Sequence, residues 1–160
     1  MDTPCTGCGI VVAEGTRGCR AMFDELSIRQ WYSPLAYSVR RMIVDTYAMQ
    51  HPDEFCASAK SFAAHLTGLC AALEHADHPN LLRVLLEWMD AQPALIKPQL
   101  PAHRGRITVA DTFQASCVEE VHATADAWAR SVWQAYGALQ PQARAWVAEA
   151  LARPARPARH

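Results

Sequence analysis

Three cysteines near the start of the chain have the chemistry and spacing to hold a metal ion. Cys5 and Cys8 enclose Thr6 and Gly7, Gly9 follows, and Cys19 lies ten residues beyond that glycine. Thiolates are soft ligands suited to zinc, and a Cys-x-x-Cys turn ending in glycine lets two sulfurs converge on one ion while backbone amides stabilise their charge. A tetrahedral shell needs a fourth donor, and His51, immediately before Pro52, is placed to supply it. The expected site is a Cys3His centre for Zn2+ made by Cys5, Cys8, Cys19 and His51. Two other readings use the same residues. A Cys-x-x-Cys pair also serves as a redox couple, although that version sits at a helix start in a βαβ setting not found here. A histidine at a helix C-terminus also interacts with the last carbonyls.

The elements that must bring these residues together are helical. Period-3.6 apolar patterns predict helices over 19–31, 35–50 and 54–75, the last capped by Asp53. A fourth begins after His78-Pro79 and stops at Pro93, a fifth runs from a capping box at Ser116 and Glu119 to 139, and a last starts at Pro141. Between Pro93 and Gln114 the pattern lapses, with Ile107-Thr108-Val109 as a short extended piece, and no hairpin is expected. If the first two helices pair antiparallel about Ser33, residue 19 lies opposite residue 47 and Cys19 falls near His51. The loop 9–18 is long enough to bring Cys5 and Cys8 to the same end. Cys19, at a helix start, has the helix's partial positive charge to favour its thiolate. The fold class is all-α, a single-domain bundle of about six helices over 1–152. Residues 1–18 form a zinc-knuckle-like segment and 153–160 a flexible Arg/Pro tail.

With 160 residues, 51% of them hydrophobic, the chain can build one core without disulfides. Cys56, Cys70 and Cys117 lie within helical patterns and read as small buried core residues, distinct from the three around glycine-rich turns. A net charge of −1 gives no general attraction to nucleic acid or anionic membrane, and the basic residues are scattered. No segment is apolar enough to span a bilayer and no secretory leader is evident, so a cytoplasmic location is expected. Phosphate-cradling loops, dinucleotide fingerprints, His-Glu-x-x-His and nucleophile elbows are all missing.

Other polar residues fall near the site or inside the bundle. Tyr47 shares a face with His51 one turn earlier. Asp45 projects about a third of a turn away, placed to cap or pair with a neighbouring helix. His65 reads as a hydrogen-bonded core histidine opposite residue 39 or 40 by hairpin arithmetic about Pro52. Trp128 and Trp133 are about 140° apart on their helix, so they pack on two sides.

Several blocks resemble a bacterial protein family of unknown function. They are the Cys5-Thr6-Gly7-Cys8-Gly9 start, the Gly18-Cys19 step and the run from Val44-Asp45 through Tyr47-Ala48 to Gln50-His51-Pro52. Ala64-His65-Leu66 and Trp128-Ala129-Arg130-Ser131-Val132-Trp133 complete the set. Members of that family share a Cys-Pro-Gly-Cys-Gly start, a Val-Asp-x-Tyr-Ala-x-Gln-His-Pro block and a later Trp-Ala-x-x-Val-Trp block. The resemblance brings no activity. It implies a metal set at Cys5, Cys8, Cys19 and His51 and draws attention to Asp45, Tyr47 and His65. This chain has Arg40 and Leu139-Gln140 where the family pattern has histidines, departures that favour a structural metal over a second, catalytic one.

Three functions are compatible with these residues. The first is a zinc-stabilised helical protein that acts by binding a protein partner, as a regulator or an accessory. The second is a metal-dependent, hydrolase-like enzyme with an open zinc position near Tyr47 and His51, and Asp45, Tyr47 or His65 handling protons. The third is a thiol sensor that loses zinc when Cys5 and Cys8 are oxidised. The first needs only the closed site.

Overall fold

The computed structural model describes residues 1–91 and 93–153. It opens with the hairpin that the sequence concealed. Strand β1 (Asp2–Pro4) pairs antiparallel with β2 (Val11–Ala13), Thr3 opposite Val12. Each strand is three residues long and largely exposed, so neither shows the buried alternation by which strands are recognised. The connection between them is the knuckle itself. Cys5 N–H donates to Ile10 O (2.8 Å) and Gly9 N–H to Cys5 O (2.9 Å), and Gly9 takes a positive φ of 79° that suits glycine.

Among the described residues eight α-helices follow, more than the six expected, because short pieces interrupt the long patterns. Helix α1 (Thr16–Trp31) begins one turn earlier than predicted, and α2 (Tyr37–Gln50) two residues later. The expected single helix over 54–75 is two. In place of an N-cap, Asp53 lies in the first turn of α3 (Pro52–Phe55). The chain breaks at Cys56, and Ser58 and Ser61 form a reciprocal capping box that starts α4 (Ala59–Glu74) afresh. Helix α5 (Leu81–Asp90) starts beyond Pro79, behind Asn80. The expected extended piece at 107–109 is instead a helix start. Thr108 is extended, and its box with Asp111 opens α6 (Val109–Phe113). Helix α7 (Val118–Ala135) begins behind Cys117, where Ser116 bonds Glu120 rather than Glu119. A 3-10 turn (Gly137–Leu139) separates it from α8 (Gln140–Ala152), which starts one residue before the expected Pro141.

The architecture is mostly all-α, as expected, with the small hairpin added. Helices α2 and α4 lie at its centre, with α7 against α2, and α5 and α8 against α4. Trp88, Trp128, Phe62 and Leu66 are fully buried there, each contributing about 2–3 kcal/mol through the apolar surface removed from water. Trp128 and Trp133 are both buried and face different neighbours, their indole N–H groups bonding Gln50 Oε1 (2.9 Å) and Glu74 Oε1 (3.0 Å). Cys56 and Cys70 are buried, and burial pushes their thiols up to about 11 and about 12. Cys117 departs from the expectation: it is exposed, because it precedes α7 instead of lying on its inner face. No helix among the described residues is long and apolar enough to cross a membrane. Of the tail expected over 153–160, all but Arg153 lies outside the described residues.

Candidate metal centre

The hairpin, the first turn of α1 and the end of α2 meet at one point, and the four predicted ligands are the residues that meet. Cys5 Sγ and Cys19 Sγ each lie 3.4 Å from His51 Nε2, and Cys8 Sγ lies 3.7 Å from Cys19 Sγ. All four donor atoms fall within 4.8 Å of one another. A tetrahedral zinc with bonds of about 2.3 Å to sulfur and about 2.0 Å to nitrogen places two sulfurs roughly 3.8 Å apart and a sulfur and nitrogen roughly 3.5 Å apart. The observed separations match those edges and are far longer than a disulfide bond. Cys5, Cys19 and His51 are buried and Cys8 is half-buried. Three sulfurs and one imidazole converging from three directions can hold a metal ion.

Local interactions aim each donor inward. His51 Nδ1 bonds the Tyr47 carbonyl at 2.8 Å, an acceptor only, so Nδ1 carries the proton and the Nε2 lone pair faces the sulfurs. The ring stacks on Tyr47 (centroids 3.9 Å), which stacks in turn on Phe23 (3.9 Å). Gly7 lies against the ring as well. A Cβ at that position would stand 2.3 Å from His51 Cδ2 and 2.9 Å from the Gln50 carbonyl, so only glycine lets the knuckle close on the imidazole. Gly18 does the same for α1, whose first turn packs so tightly on β2 that a Cβ would lie 1.9 Å from Ala13 O.

The cluster shares its protons unequally. The Cys19 S–H bond lowers Cys8 to about 4 against the cost of its burial. The same bond, with burial, pushes Cys19 up. Expected at the helix start, Cys19 lies instead at the end of the first turn of α1. Helix α1 begins at Thr16 and the Cys19 amide is already bonded to Gly15 O, leaving its sulfur beside a neighbouring thiolate. Burial opposes ionisation of Cys5, but the backbone amides of Cys8 and Gly7 outweigh it and bring the thiol down. His51 is raised because its bonds with Cys8 and the Tyr47 carbonyl exceed the opposing effect of burial. Burial and the nearby Cys19 hold the Tyr47 hydroxyl, 3.7 Å from Cys19 Sγ, in its neutral form.

Asp45 and His65 lie elsewhere and hold each other. His65 Nδ1 bonds Asp45 Oδ1 at 2.8 Å, and Arg41 clasps the same fully buried carboxylate through Nε and Nη2, both at 3.0 Å. The pairing expected of Asp45 is present. His65 meets residue 45 and not 39 or 40, because α3 and the break at Cys56 consume residues that simple hairpin arithmetic assigned to the second arm. Gly68 makes room, since a Cβ there would lie 2.3 Å from Asp45 Oδ2. A second grouping, Cys70, Glu74 and His75, has its carboxylate engaged by Arg144 (2.8 and 2.7 Å) and Trp133.

Sequence reasoning missed the residues that support the centre. Gln50 is fully buried with both ends satisfied: its amide N–H groups donate to the carbonyls of Arg104 (3.0 Å) and Ile107 (2.8 Å), and its oxygen accepts from Trp128. That fastens the irregular segment before α6 to the end of α2. Arg104 then reaches back, its Nη1 donating to Gly7 O at 3.4 Å, and so ties this segment to the knuckle. The available signal was the shared block of Gln50 with His51.

The model of a family of unknown function, DUF5946, matches residues 3–137 and so spans all four site residues. The chain belongs to that family. No curated protein and no solved structure matches it. Membership of DUF5946 carries no reaction with it, and the function of this member has to be argued from its site.

Proposed function

We propose that Cys5, Cys8, Cys19 and His51 hold one Zn2+ as a structural centre, and that the protein acts by binding another protein. The observation that carries the first part is the cluster itself: four protein donors, three of them buried, within 4.8 Å of one another. A closed shell supplies stability, because no position is left for a water to be activated. Here the ion would join the N-terminal hairpin to α1 and α2, adding to the close packing of Gly18 on Ala13 and of Gly7 on His51. The enzyme reading needs an open position beside Tyr47, and that ring is packed between Phe23 and His51 with its hydroxyl directed at Cys19. The thiols fit a reducing compartment such as the cytoplasm.

The test is metal content of tag-free protein by elemental analysis, beside Cys5→Ser, Cys8→Ser, Cys19→Ser, His51→Ala and His65→Ala. About one zinc per chain, lost in the first four and retained in the last, is the expected result. Full retention without Cys19 or His51 would refute the closed site. A second reading, the thiol sensor, falls on Cys8 and Cys19, 3.7 Å apart, in place of the expected Cys5 and Cys8; it predicts reversible zinc release when peroxide joins the two sulfurs.

A further inference from the structure

Between α5 and α6 the chain runs from Pro93 to Thr108 with neither helix nor strand. Stretches beyond roughly 12–15 residues without an element of their own are uncommon in a compact domain and call for a reason. From Pro93 to His103 the backbone of this strap makes no hydrogen bond to another element among the described residues, and half-buried Leu95 and Leu100 pack on the core. Its polar ties gather at Arg104–Ile107. Gln50 Nε2 donates to the carbonyls of Arg104 (3.0 Å) and Ile107 (2.8 Å), and Ser131 Oγ on α7 accepts from the amides of Arg106 (2.8 Å) and Ile107 (3.3 Å). Gly105, at a φ of 101°, lets the backbone press on α7, where a Cβ would stand 3.1 Å from the Ser131 carbonyl. The third tie is Arg104 Nη1 to Gly7 O, at 3.4 Å.

Two of these three ties end at the candidate metal centre. Gln50 directly precedes His51, and Gly7 lies between Cys5 and Cys8. Gly7 is also where the knuckle meets the end of α2, since a Cβ there would stand 2.9 Å from the Gln50 carbonyl. The turn that an ion would draw against His51 is therefore the turn that the strap grips through Arg104. The sulfur contacts of Cys5 with His51 (3.4 Å) and of Cys8 with Cys19 (3.7 Å) are weak hydrogen bonds, and metal–ligand bonds in their place would fix the Gly7 carbonyl far more firmly. With most of the strap free of hydrogen bonds to the bundle, a change at Gly7 falls on one of the few ties it has.

We infer that residues 93–107 form a metal-responsive strap: zinc at Cys5, Cys8, Cys19 and His51 holds Arg104–Ile107 in place through Gly7, and loss of the ion loosens them. This rests on the zinc reading above. The experiment is amide hydrogen exchange by NMR on the full-length protein, with zinc and after chelation, with metal content measured on the same samples. The reporters are the Arg106 and Ile107 amides, whose acceptor is Ser131 and not a residue of the centre. Bound zinc should slow their exchange by about three- to tenfold, the worth of a modest hydrogen bond. In Arg104→Ala at saturating zinc, with the helical circular dichroism unchanged, that effect of zinc should vanish. Coupling is reciprocal, so the variant should also bind zinc more weakly by a similar factor in competition with a chelator. Where the stripped chain loses its helices, this affinity measurement decides. Equal exchange with and without a bound zinc, the same slowing in Arg104→Ala, or parental zinc affinity in that variant overturns the strap and leaves the metal centre standing. No zinc in any sample overturns both.

Discussion

Gly7→Ala should strip the site of most of its metal affinity while leaving the bundle folded. The new methyl would stand 2.3 Å from His51 Cδ2, 2.9 Å from His51 Nε2 and 2.9 Å from the Gln50 carbonyl. Carbon atoms settle at about 3.5 Å or more, so the turn and the imidazole must separate by roughly 1 Å. Neither has an easy retreat. The ring is backed by Tyr47 and Phe23, and the carbonyl belongs to the end of α2 beneath a fully hydrogen-bonded Gln50. Metal–ligand distances tolerate only about 0.2 Å, and a disturbed supporting shell costs about 10–100-fold in affinity, or about 1.4–2.8 kcal/mol. Competition against a chromophoric zinc chelator measures this directly. Gly137→Ala is the control, since nothing lies within 4 Å of its Cβ position and its φ is not positive; its affinity should equal the parent's. Gly7→Ala with parental affinity would refute the claim that the knuckle closes on the imidazole, and with it the placement of His51 in the shell.

Other consequences follow from the same contacts. Gln50→Ala leaves the Trp128 indole N–H and the carbonyls of Arg104 and Ile107 without partners and should cost about 3 kcal/mol in urea unfolding; a loss under about 1 kcal/mol would show that water replaces the amide. Zinc uptake at neutral pH should release protons, because Cys19 is pushed up by its bond to Cys8 and must ionise to bind. Affinity then rises with pH, and calorimetry in buffers of different ionisation enthalpy reads the release; identical heats would contradict it. Glu74, held below the usual carboxylate range first by its bond to Arg144, stabilises the fold above its unfolded pKa and loses that contribution as pH falls through its folded one. Acid melts below about pH 4 should therefore be shallower for Glu74→Gln than for the parent. Gly68→Ala drives a methyl into the Asp45 carboxylate and should unfold the α2–α4 contact, seen as a drop in melting temperature of several degrees, on the order of 5 °C or more.

Much of this protein was legible in its residues, and the limits are physical. Cys5, Cys8 and Cys19 declare a soft-metal chemistry by type and spacing, and His51 could be added because two antiparallel helices of known rise bring residues 19 and 51 to one end. The apolar periodicity determined the mostly helical architecture for the same reason: a repeat of 3.6 residues is a local property, present before any long-range contact forms. Three-residue strands have no such repeat, so the β1–β2 hairpin around the knuckle was hidden, and capping boxes at Ser58 and Thr108 overrode continuous patterns across 54–75 and 107–109. Only the folded chain decided that Cys8 and Cys19 lie 3.7 Å apart and so share a hydrogen bond. Folding also paired His65 with Asp45, seated Gln50 under three hydrogen bonds and left Trp31 bare while burying the other four tryptophans. Each of these depends on distances between residues remote in the chain, and those distances are set by how the helices pack.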